Sequence, residues 1–193
     1  MENKDTQIKH AITIGYPLDF GLVIEKSFEN YKKIALLGGA TILLLMIALI
    51  GIGFTMFTAF MGVSDLTETL TDFNPLNFST VGILIYIGVM VLISGLFSPI
   101  GAGFLKMAHL AEENKEFTMG TVFDYYKTIH FKELFISASL LAVVNLGIST
   151  TLDSMNLTVL GTILTYIIGF LTFLTVPLII FANQNAFKAI TKS

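Results

Sequence analysis

Cysteine, arginine and tryptophan are absent from this chain of 193 residues, and charged residues make up only 13% of it. Without cysteine there is no disulfide, no thiolate nucleophile and no cysteine-ligated metal or cluster. Without charge there is no water-facing coat, since a soluble domain gives about 25% of its residues to Asp, Glu, Lys and Arg. The net charge of −3 is small, and no basic run exceeds Lys32-Lys33. Composition therefore argues for neither nucleic-acid binding nor an anionic-lipid clamp. Basic residues that are all lysine fit an AT-rich bacterial genome, so a bacterial inner membrane is the expected location. The first apolar run is far too long for a signal-peptide core, and no cleavable targeting segment is expected.

What is present is apolar: 54% hydrophobic residues and a mean hydropathy of +0.79. A spanning helix needs about 20 predominantly apolar residues, and four stretches qualify, at 34–62, 81–105, 134–152 and 157–181. The expected fold is an all-α integral membrane protein of four transmembrane helices within one domain. Lysine placement orients it. All 11 lysines precede the first span, lie between the second and third, or follow the fourth. The loops at 63–80 and 153–156 hold Asp65, Glu68, Asp72 and Asp153 but no lysine. The positive-inside rule then puts both termini in the cytoplasm.

Two further segments read as amphipathic helices lying in the headgroup layer, the alternative being ordinary amphipathic helices packed on protein. In 18–33 one face carries Phe20, Ile24, Phe28, Tyr31 and then Ala35, while Glu29 and Lys33 stand at pairing distance elsewhere. In 119–133, Val122, Phe123, Tyr126 and Ile129 share a face opposite Asp124, Lys127 and Lys132, with Thr121 placed to cap the start. Each segment precedes a hairpin of two spans, and Pro99 and Pro177 sit near the inner ends of spans two and four. The pattern is a parallel repeat of interfacial helix plus hairpin, followed by a cytoplasmic tail at 182–193. Because each unit has an even number of spans, the repeat is not the inverted kind common in transporters.

Ile24-Glu25-Lys26-Ser27, Pro177-Leu178-Ile179-Ile180-Phe181 and Ile190-Thr191-Lys192-Ser193 carry a resemblance. The chain resembles uncharacterised bacterial multi-pass membrane families, including the membrane domain attached to some glycerophosphodiester phosphodiesterases. The resemblance covers nearly the whole chain and implies a fold, not an activity.

Catalytic chemistry has few parts to work with. Ionisable residues inside a membrane are the usual pointers to function, and the four spans contain none. Ser94, Ser98, Asn145, Thr162, Thr165, Tyr166, Thr172 and Thr175 supply polar groups suited to bonding between helices or back to their own backbone. No phosphate loop, nucleophile elbow or dinucleotide fingerprint occurs. His109, Glu112 and Glu113 have the i, i+3, i+4 spacing of metal ligands, and His130 with Glu133 forms a thinner pair. No His-x-x-x-His stands beside them, so solvated polar residues at a span's end are the plainer reading, and no cofactor is expected. Gly161, Thr165 and Gly169 recur every four residues as a helix-packing or partner seam. Pro99 and Pro177 free the carbonyls of Gly95 and Phe173, with Ser94, Ser98 and Thr172 near enough to help satisfy them.

The favoured expectation is a non-enzymatic bundle serving as an accessory or scaffolding subunit. Its expected partners are the lipid bilayer, other membrane subunits or a second copy, and no nucleic acid. The alternative is a small transporter or lipid-handling protein with a cytoplasm-facing cavity near Pro99 and Pro177.

Overall fold

The computed structural model describes residues 19–61 and 79–193. Lys4, Lys9, His10 and the acidic residues 65, 68 and 72 of the first loop lie outside the described residues, as does most of that loop. Every regular element described is helical, in the order α1 (Phe20–Met61), α2 (Thr80–Glu112), a 3-10 helix (Met119–Lys127), α3 (His130–Ser154), α4 (Thr158–Leu171), α5 (Thr175–Ile180) and α6 (Ala186–Lys192). Four helical stretches are long and apolar enough to cross a membrane, with α4 and α5 together making the fourth. The protein is a multi-pass membrane helical bundle.

The first expected boundary is missing. The amphipathic segment and the first span form one helix of 42 residues, because nothing between Phe20 and Ala35 breaks it: no proline, and a single glycine in its first turn. At 1.5 Å per residue α1 is about 63 Å long. Even at a steep tilt of about 40° the hydrocarbon core takes up only about 39 Å of helix. Roughly 16 of its residues must therefore stand outside the core, and at its first end the stripe of Phe20, Ile24, Phe28 and Tyr31 is exposed. Lys33 does not pair with Glu29; its Nζ donates to Asn114 Oδ1 at 2.8 Å.

Helix ends follow local chemistry. Ser79 caps α2, its hydroxyl accepting from the Gly82 N–H at 3.2 Å. The same helix closes on Asn114, which takes φ 52°, while Asn114 N bonds Ala111 O and Lys115 N bonds Leu110 O. This is the left-handed closure that asparagine tolerates better than most residues. Asn156, at φ 60°, ends α3 in the same way.

The second amphipathic segment is not an α-helix. Residues 119–127 wind with three residues per turn and pack on protein, burying Thr121, Val122 and Tyr125. At that period Val122 and Tyr125, three residues apart, eclipse one another. Of the face expected from an α-helical period, Val122 is buried on protein, whereas Phe123, Tyr126 and Ile129 are 39%, 36% and 86% exposed. Thr121 lies inside the segment, where its hydroxyl accepts from the Thr118 N–H. The chain turns at Thr128–Ile129, and residues 130–133 belong to α3.

The fourth span also differs. It breaks at 172–174 before resuming as α5, so Pro177 occupies a first turn, where its missing N–H has no helical partner to lose. The hydroxyl of Thr172 bonds Ile168 O rather than the Phe173 carbonyl. Pro99, by contrast, is buried inside an uninterrupted α2.

Candidate functional site at the lysine-bearing end

Most of the fully buried side chains gather where α2 leaves its span. Ala102, Tyr125, Leu134, Ile179, Ile180 and Ala189 form one core, with Val176 and Leu178 packed against it. Gly103 explains how the 3-10 segment comes so close. A Cβ there would collide with the Val122 carbonyl and stand 2.5 Å from the Val122 Cα. Gly95, two turns earlier, does the same for α3, since its Cβ would meet the Phe135 ring and Ser139 Oγ at 2.7 Å. A buried ridge of Gly95, Pro99, Ala102, Gly103, Met107 and Ala111 thus turns one face of α2 into a bed for its neighbours.

Polar groups pin this arrangement. Lys106 Nζ reaches Asp124 Oδ2 at 2.7 Å and lies 5.9 Å from the centre of the Tyr125 ring. The Tyr126 hydroxyl donates to Leu96 O at 2.6 Å, one residue from the carbonyl that Pro99 frees. Glu133 Oε2 accepts from the Ala186 N–H at 2.7 Å, and Asn185 Oδ1 from the Lys188 N–H at 2.9 Å. Those two bonds cap α6, which then lays Ala186 and Ala189 into the core. Ser193 Oγ accepts from the Leu174 N–H at 2.9 Å, satisfying a donor left by the break in the fourth span. Burial raises the pKa of both Tyr125 and Tyr126; for Tyr125 the Lys106 charge pulls it back and Asp124 adds to it. Both remain neutral phenols in the physiological range.

The residues proposed for metal binding are not brought together. Among the described residues no group of three or more His, Asp or Glu side chains is placed to hold an ion. His109 sits edge-on to Phe181, with ring centroids 5.1 Å apart, and 3.7 Å from Glu113 Oε1. Glu113 also meets Lys115 Nζ at 2.7 Å. Glu112 is exposed at the end of α2. His130 faces Tyr125 instead, 6.0 Å between ring centroids, and Glu133 is engaged with α6.

The small-residue stripe divides. Gly161 is buried against Leu152 and Ser149 of α3. The hydroxyl of Thr165 folds back onto Gly161 O at 3.0 Å, and Gly169 has open space beside it. The seam between α3 and α4 therefore uses one end of the stripe. Thr162 likewise bonds its own helix, while Ser139 Oγ, Asn145 Oδ1 and Thr175 Oγ1 are buried with no partner among the described residues.

Around the two prolines, Pro99 is fully buried one turn from Ala102, and the half-buried Pro177 lies between Val176 and Leu178, which pack on the same core. No family model, curated protein or solved structure matches this chain.

The Tyr126 bond was not visible in the sequence, because its partner lies 30 residues away. Replacing Tyr126 by Phe should lower stability by about 1 kcal/mol, the net worth of one such bond. Titrating purified protein with SDS and following helicity would measure this. Tyr125→Phe should cost less, and equal losses would deny the Tyr126 hydroxyl its role.

Proposed function

We propose that the chain is a non-enzymatic helical bundle of the bacterial inner membrane, serving as an accessory or scaffolding subunit with both termini in the cytoplasm. One observation carries the reading. At the lysine-bearing end the Lys106–Asp124 pair, the Tyr126 hydroxyl and the Glu133 carboxylate are spent on one another and on backbone, while the flanks of α1 and α4 stay apolar and exposed. A transporter needs polar groups aimed into a passage, and a hydrolase needs a nucleophile beside a base. A scaffold needs the opposite arrangement, with a self-satisfied hub and free apolar flanks for neighbouring helices.

The cysteine-free chain makes the topology simple to test. Asn156→Cys should react with a membrane-impermeant maleimide added to intact spheroplasts, and Lys192→Cys only after permeabilisation. The reverse pattern would sink the orientation. For the scaffolding role, native mass spectrometry of protein extracted in lipid nanodiscs should find it in assemblies larger than the 21.1 kDa chain. A lone monomer throughout would sink that part.

A further inference from the structure

A groove of about 470 Å³ opens where α1 passes the turn after α2. Lys33 and Leu37 line one wall; Asn114, Lys115 and Phe117 line the other. We propose that this groove holds the headgroup and upper acyl chain of one anionic phospholipid. Both walls change character in the same direction. On α1 the chain passes from the last lysine before its span to Leu37 one turn later. Across the groove, Lys115 gives way to Phe117 and to Ala111 of α2. A site that is cationic at one end and apolar at the other matches a phosphodiester carrying an acyl chain.

The two lysines are held differently, and that difference favours an anion. Lys115 is shared with Glu113 at 2.7 Å. Lys33 is positioned by a neutral amide, at 2.8 Å from Asn114 Oδ1, and among the described residues no carboxylate lies within ion-pair distance of it. Its charge is fixed in place and not cancelled. The left-handed turn at Asn114 is what brings that amide to α1. Glu116 also lines the groove and disfavours a small free anion, which gains nothing from Leu37 and Phe117 in return. The sequence offers no basic run because the two cations come from positions 82 apart, joined only by the fold. The site is argued from local geometry and does not rest on the scaffolding role.

Wild-type protein in mild detergent, incubated with equal phosphatidylglycerol and phosphatidylcholine, should retain the anionic lipid about tenfold better by native mass spectrometry. Lys33→Gln with Lys115→Gln should abolish the preference; Lys188→Gln with Lys192→Gln should keep it. A diazirine-bearing phosphatidylglycerol should label peptides containing Leu37 or Phe117, a readout that needs no variant. Equal retention of both lipids, equal loss in the two double variants, or labelling confined to other helices would overturn the proposal. Displacement of the lipid by millimolar inorganic phosphate would overturn it too, by assigning the groove to free phosphate.

Discussion

Gly103→Val should unfold the lysine-bearing end of the bundle, with a loss of about 3 kcal/mol or more. Overpacking a close-packed interior costs about 1–3 kcal/mol when side chains can adjust. Here the obstacle is the backbone of Val122, whose carbonyl and Cα occupy the space that even a methyl group would take. A carbonyl has no alternative rotamer. The 3-10 segment would have to lift away from α2, and its other anchors would go with it. Lys106 and Asp124 would separate, and Tyr126 would lose Leu96 O. Gly101→Ala is the matching control, two residues away on the same helix with open space around its Cβ position. It should be neutral or stabilising by up to about 1 kcal/mol, since alanine is the better helix former. SDS titration of both variants decides the matter. Equal midpoints for Gly103→Val and wild type would mean that the segment does not sit on α2.

The contrast between those glycines shows what a linear sequence conveys about this fold. Hydropathy locates four spans because twenty apolar residues have few alternatives, and the helices contain them within a few residues. It says less about what completes a helix end. The fourth span breaks at Thr172-Phe173-Leu174, around the carbonyl that Pro177 frees, and the Leu174 N–H left by the break is taken up by Ser193 from the far end of the chain. The winding of the 119–127 segment was hidden for a related reason. Its apolar residues fit an α-helical face, and the close approach at Gly103 buries Tyr125 beside Val122. In α1 the error ran the other way. A change from polar to apolar composition near Ala35 suggested two elements, yet composition alters what surrounds a helix without interrupting its hydrogen bonds. The histidines illustrate the limit for sites. His109 and His130 have suitable spacing to nearby carboxylates, but α2 and α3 turn them toward Phe181 and Tyr125. The Lys33–Asn114 contact was equally hidden, because it depends on a left-handed turn bringing two distant positions together.

Leu134→Ala should be the most damaging truncation tested in the core, at about 3 kcal/mol, and where Leu134 sits explains why. Deep in a bilayer an apolar side chain gains little from burial, since lipid tails are as apolar as leucine. Leu134 is fully buried one turn into α3, directly after Lys132 and Glu133. At that level water competes for any opened space, so the transfer and cavity costs known from soluble cores, about 2–5 kcal/mol for Leu→Ala, apply. Leu84, on the exposed flank of α2 at 65% exposure, gives the comparison. Leu84→Ala should change stability by no more than about 0.5 kcal/mol. The damage at Leu134 should also have a location. Ile179 of α5 and Ala189 of α6 share its core, and the neighbouring Glu133 caps α6. Losing the leucine should free α6 first, so amide exchange across Ala186–Lys192 should rise well before α2 or α3 is affected. Uniform acceleration over all the helices would instead mean that α6 is no weaker than the rest. A comparable loss for Leu84→Ala would show that its flank is covered by another helix in the native assembly, as the scaffolding role requires of at least one such surface.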